Sequence, residues 1–205
     1  MNGVDFIPFL LAAFAIELTP GPNMFYIALL SAQNGRKPGY AVVAGVALGL
    51  LSVGVLSLLG FSVLVANNPW VYEILRWGGI AYLLWLALDA VLDSRKTLES
   101  EPAATVMREA FLRGLIANLL NPKAFLFYLT LLPSFIGSDT HYTQWFIVLM
   151  VVYVGIATLI HLVIVVMSGS VSGLLSHKDY REKVGWGFAG LLVCVAIWIA
   201  FKTAR

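Results

Sequence analysis

The stretch ELTPGPNMFY, residues 17–26, interrupts an apolar segment that otherwise reads as lipid-embedded helix. Glu17, Pro20, Gly21, Pro22 and Asn23 fall within seven consecutive residues. An interior proline removes a helical hydrogen bond and costs about 3 kcal/mol or more. Freed carbonyls find no water in hydrocarbon, so non-helical backbone survives there only when it is buried in protein or lines a wet cavity. The stretch therefore reads as a broken span whose break holds something.

The composition supports a lipid solvent. Of 205 residues, 60% are hydrophobic and 12% charged, against about 25% charged in a soluble domain. The net charge of +2 is spread over short loops and points to no nucleic acid. Cys194, the single cysteine, excludes a disulfide framework or thiolate cluster. The opening MNGVDF lacks a basic leader region, so the first apolar segment is expected to be retained.

Six segments approach the roughly 20 apolar residues that a spanning helix needs: about 6–32, 39–66, 70–92, 111–136, 144–168 and 184–203. The first and fourth are interrupted. A polar stretch at 93–109 separates the third from the fourth, and no linker is large enough for a soluble catalytic domain. Arg36 and Lys37, then Arg95, Lys96, Arg108 and Arg113, then Lys178, Arg181 and Lys183 follow the odd-numbered spans. Positive loops stay inside, so the odd loops are expected to be cytoplasmic and both termini outside. A first span that only dips into the membrane would move the N-terminus inside.

A shift of 100 residues lays Pro22 on Pro122, Phe25 on Phe125 and Leu29 on Leu129. The broken first span thus matches the broken fourth, each followed by two unbroken spans. Repeat A would cover about 1–92, a linker about 93–110 and repeat B about 111–205. Consecutive three-span units face opposite ways, so the expected fold is an all-α membrane protein, a 3+3 inverted repeat in one transporter domain.

Pro22 and Pro122 each start a half-helix, a position where the missing donor costs nothing. Each start offers free N–H groups and a partial positive charge. At about 1.5 Å per residue both breaks lie near the bilayer middle, as a midplane site requires. The plainer reading is that the prolines kink the helices for packing. Glu17, one turn before the break, is costly in a membrane unless paired, neutralised or facing water. It suits a group that loads a proton or pairs with an amine, or a protonated acid bonded to freed backbone. Lys123 follows the second break and either meets a carboxylate, snorkels or pairs with Glu17. Asn118 and Asn121 either satisfy broken backbone or contact substrate. His161, inside the fifth span, is a proton relay or a packed histidine.

Gly45 and Gly49 form a GxxxG that permits close helix approach, assigned to packing within the monomer ahead of a homodimer seam. Glu73 and Arg76 read as an interfacial ion pair, and Asp89 as solvated. Trp70, Trp77, Trp145 and Trp186 read as the interfacial belt.

The stretches TPGPNMFYIALLSAQNGRKPGYAVVAGVALG (19–49), RWGGIAYLLWLALDAV (76–91) and FLRGLIANLLNPKAFLFYLTLLPSFI (111–136) resemble the LysE/RhtB amino-acid exporter family. The resemblance covers essentially the whole chain in one register. It implies an efflux carrier of the bacterial inner membrane, exporting amino acids or similar molecules against protons. Its motif falls on Pro20, Gly21, Pro22 and Asn23, then on Asn118, Asn121, Pro122 and Lys123. The role of Glu17 rests on the physical argument alone. No cofactor and no resident metal are expected.

Two other chemistries compete. His161 and Ser168 could share a helix face in an intramembrane hydrolase, but no G-x-S-x-G elbow is present. A divalent-metal exporter would need clustered ligands, whereas His141, His161 and His177 are dispersed. A channel is the remaining alternative, which saturable, gradient-dependent flux would exclude.

Overall fold

The computed structural model describes residues 5–18, 22–60, 64, 67–95, 103–136, 141–170 and 178–202. All regular structure among them is helical. The first interrupted segment forms two helices, α1 (Phe6–Leu18) and α2 (Pro22–Asn34), each of 13 residues. At about 1.5 Å per residue each reaches only about 20 Å, short of a hydrocarbon core about 30 Å thick. The chain turns at Gly35, whose φ of 85° disfavours any side chain. It continues as α3 (Arg36–Leu58), with 23 residues.

Helix α4 (Pro69–Arg95) opens with Pro69 at its first position, and the Asn68 side chain accepts from the Trp70 and Val71 amides at 3.1 and 3.4 Å. That is the expected chemistry of a helix start. Helix α5 (Ala103–Leu119) begins inside the polar stretch that the sequence reading assigns to a linker. Nothing between Ala103 and Arg113 breaks a helix, so the helix extends beyond the apolar run.

The second break follows. Helix α6 (Pro122–Leu126) passes through a π-helical turn (Phe127–Leu131) into a last short turn, α7 (Leu132–Ser134). Helix α8 (Tyr142–Gly169) and helix α9 (Lys178–Lys202) complete the described chain.

Among the described residues, three helices are long and apolar enough to cross a membrane: Arg36–Leu58, Pro69–Leu92 and Tyr142–Gly169. A fourth span forms if the pair Ala104–Leu119 and Lys123–Ser134, bent by 51°, counts as one. Large apolar side chains cover the outside, among them Ile7, Leu59, Trp70, Leu159 and Phe201, each more than 60% exposed. Water would penalise such a surface at about 25 cal/mol per Å², while lipid does not. Of the tryptophans read as an interfacial belt, Trp70 is exposed at the start of α4 and Trp77 and Trp186 are exposed two turns into α4 and α9, whereas Trp145 is partly buried against the core.

Helix α3 packs most closely on α5, with α8 on its other side, and α2 lies against both α3 and α8. The GxxxG explains the first contact. A Cβ on Gly45 would stand 2.0 Å from the Phe111 carbonyl oxygen, and one on Gly49 2.8 Å from Asn118 Cβ. On α5, a Cβ on Gly114 would in turn stand 2.4 Å from the Val42 carbonyl oxygen. The motif therefore joins two helices of one chain.

Helices α4 and α9 form a second close pair. The expected Glu73–Arg76 ion pair is present at 2.8 Å, and Arg76 also donates to the Ala200 carbonyl on α9. Asp89 departs from expectation. It is not a solvated carboxylate but pairs with Arg113 of α5, both side chains under one-fifth exposed. The early start of α5 carries Arg113 on a rigid helix opposite α4, and the Tyr82 hydroxyl donates to the Arg113 carbonyl at 2.9 Å.

Candidate functional site at the two helix breaks

Buried polar side chains are few among the described residues: Glu17, Asn23, Ser31, Arg76, Ser94, Asn118 and His161. Four of these seven gather where the helices break. Glu17 ends α1, Asn23 starts α2, Asn118 ends α5, and His161 reaches in from the middle of α8.

The two breaks are stitched to each other crosswise. The Asn23 amide donates to Asn118 Oδ1 at 2.8 Å, joining the start of α2 to the end of α5. Lys123 Nζ donates to the Ile16 carbonyl at 2.6 Å, joining the start of α6 to the end of α1. An ammonium on a helix C-terminus is favoured by the macrodipole. The carbonyls freed by a broken span thus find partners inside the protein, as the membrane demands.

Asn121 is the N-cap of α6, its Oδ1 accepting from the Lys123 amide at 3.0 Å. Of the two roles the sequence left open, the cap shows the backbone one, and Asn121 also lines the cavity described below. Pro22 and Pro122 begin α2 and α6. Pro20 and Gly21 lie outside the described residues.

Glu17 is 6% exposed. Its Oε1 accepts from the Tyr153 hydroxyl at 2.5 Å, and its Oε2 lies 3.7 Å from His161 Nε2. Tyr153 and His161 are two helical turns apart on α8, so one helix face presents both to the carboxylate. Lys123 completes the cluster one residue along α1. Sequence reasoning missed Tyr153; two-turn spacing from His161 was the only signal, and it needs the identity of the facing carboxylate to acquire meaning.

These groups enclose a small cavity of about 10 Å³, the room of a single water. Glu17, Asn23, Asn118, Asn121, Lys123, Tyr153 and His161 line its polar part, and Met24, Leu50 and Ala124 its apolar part. Buried polar groups are normally paired, yet Asn23 Oδ1, Asn118 Nδ2 and His161 Nε2 have no hydrogen-bond partner. An acceptor, a donor and an imidazole nitrogen are held ready beside a carboxylate and an ammonium. That inventory fits a ligand carrying both charges. Among the described residues no three His, Cys, Asp or Glu side chains come together.

The chain matches the model of the LysE type translocators from residue 14 to residue 203. It belongs to the LysE type translocator family. The match spans both breaks and both long helix pairs, and it makes the chain a multi-pass membrane translocator, a transporter by family rather than an enzyme. The translocator is similar to proteins named leucine efflux protein. One from Enterobacter sp. (strain 638) is 29% identical over 196 residues, covering 92% of this chain and 91% of the relative. Another from Klebsiella pneumoniae matches equally. One from Salmonella typhimurium is 31% identical over 193 residues, with 92% and 91% covered. No solved structure matches the translocator.

Proposed function

We propose that the protein exports an amino acid across the bacterial inner membrane in exchange for protons, as a six-span carrier of two inverted three-span repeats. The observation that carries this reading is the cavity where both broken helices meet, with unpaired buried donors and acceptors beside Glu17 and Lys123. The names of the leucine efflux relatives support an amino acid as cargo and favour an apolar one.

The substrate carboxylate sits at the starts of α2 and α6, against Asn118 Nδ2 and the Lys123 ammonium, with Asn121 holding the α6 start in shape. The substrate ammonium lies against Glu17 and Asn23 Oδ1. Its side chain faces Met24, Leu50 and Ala124. The residue-100 shift that relates Pro22 to Pro122 puts the two half-helix starts on opposite sides of one midplane site. The cavity is too small for an amino acid as it stands, so loading moves the half-helices apart; rocking of the repeats about this site alternates access. A proton from outside and the substrate ammonium compete for Glu17, with His161 placed to pass the proton on. Such competition yields antiport. The odd loops face the cytoplasm and both termini the outside.

Cells with and without the protein, loaded with dipeptides that each release one amino acid inside, test this directly. Uncoupler-sensitive release of leucine or a similar apolar amino acid, faster than in cells lacking the protein, is the expected result. Equal release of every amino acid from both strains would overturn the reading.

A further inference from the structure

The carboxylate is tied to a second feature of the molecule by one side chain. Tyr153, through its hydroxyl, is the hydrogen-bond partner of Glu17 at 2.5 Å. Its ring belongs to a buried aromatic cluster between Glu17 and the end of the molecule where α1 begins. Tyr153 stacks on Phe127 with ring centroids 3.7 Å apart and planes 18° from parallel. Phe127 meets Phe9 of α1 at 6.2 Å, and Phe9 meets Phe135 edge-on at 5.5 Å. Tyr128 stands edge-on to Tyr153 at 5.7 Å. Phe9, Phe127, Tyr128 and Tyr153 are at most 2% exposed. In the orientation proposed above, with the termini outside, this cluster lies on the outer side of the site.

Phe127 also opens the π-helical turn Phe127–Leu131. Such turns interrupt the α-helical register, are rare, and are found frequently at functional sites. The cluster is therefore anchored on a segment whose hydrogen bonding has a ready alternative, the ordinary α-helical one.

We propose that this cluster is the outer plug and that Tyr153 makes its closure depend on the charge of Glu17, so that an empty, ionised site stays shut. This deepens the exporter reading above and rests on it. A bare carboxylate takes a strong, charge-assisted bond from the Tyr153 hydroxyl, which fixes the ring against Phe127. A proton added to Glu17, or a substrate ammonium paired with it, neutralises that charge and weakens the bond. The ring and Phe127 are then free to move, and the π-helical turn to tighten. Either cargo opens the plug and the empty carrier stays shut, so one cargo must bind before the site can return, which makes exchange obligatory. The other groups facing Glu17 are His161 on α8, 3.7 Å from Oε2, Lys123 on α6 through the neighbouring Ile16 carbonyl, and Tyr128 within electrostatic reach. Tyr153 alone among these both hydrogen-bonds the carboxylate and stacks in the plug.

The test uses the full chain in phospholipid vesicles loaded with labelled leucine, with efflux measured at equal pH and with the outside one pH unit more acid. One unit is tenfold in proton activity, and it should speed wild-type efflux severalfold. In Tyr153→Phe, which keeps the ring and loses the hydroxyl, that ratio should fall to about one whatever the absolute rate. Phe127→Leu, which keeps the hydroxyl and loses the stack, should lower the ratio in the same way. It also serves as the measure if Tyr153→Phe does not reach the membrane. A wild-type ratio retained in either variant overturns the proposal and leaves the exporter intact. Absence of leucine flux from wild-type vesicles at both pH settings overturns the exporter reading and the proposal with it.

Discussion

Asn118 is fully buried and gives its oxygen to Asn23 while its own amide nitrogen meets no partner. One side chain therefore closes a seam between the two helix breaks and leaves a donor that, in the proposed site, serves cargo. Asn118→Ala strands the Asn23 amide, and an unpaired buried polar group costs about 1–3 kcal/mol. Polar contacts between membrane helices measure nearer 0.6 kcal/mol, so a loss of about 1 kcal/mol is expected. Thermal unfolding in detergent should show a drop of a few degrees. Because cargo contact is lost as well, leucine efflux per folded molecule should fall by more than tenfold. A variant that melts early but exports normally would show that Asn118 only holds helices together.

The crossing of α3 and α5 is set by the absence of side chains. Gly45 has no room for a Cβ, which would lie 2.0 Å from the Phe111 oxygen. The obstacle is backbone, so it cannot rotate away. Gly45→Leu should destabilise by at least the 1–3 kcal/mol typical of overpacking, read as loss of the monodisperse protein on heating in detergent. Gly155, whose Cβ would meet nothing within 4 Å, gives the control: Gly155→Ala should melt with the wild type. The helices themselves were legible in the sequence, because apolar runs and proline starts are local properties. Pro22 and Pro122 open half-helices, and the GxxxG packs within the chain, as both patterns imply. The start of α5 at Ala103 was not legible, since polar residues around Arg108 look the same in a loop and on a wet helix. Asp89 was misjudged for the same reason, as its partner Arg113 comes from another helix and only the packing of α4 near α5 brings them together.

At the scale of the molecule, two helix breaks are tied end to opposite end, by Asn23 to Asn118 and by Lys123 to the Ile16 carbonyl. Each tie crosses from one half of the chain to the other, so neither break is complete alone. Intramembrane carboxylates and prolines carry a cost that the fold must offset, and this made Glu17, Asn118, Asn121 and Lys123 visible from sequence. Tyr153 carries no such cost, being at home in a membrane core, and stayed hidden until the helix placed its hydroxyl on Glu17. The proposed export site depends on Glu17 and Lys123 at this crossing binding the cargo. The most direct measurement is uncoupler-sensitive leucine efflux from cells carrying Glu17→Gln or Lys123→Ala, normalised to the protein in the membrane. Each variant should lose at least tenfold, a change of about 1.4 kcal/mol or more, because each removes one of the two ionisable side chains proposed to pair with the cargo. Wild-type efflux from both variants would contradict the claim, and the helix breaks would then be packing features with the site elsewhere.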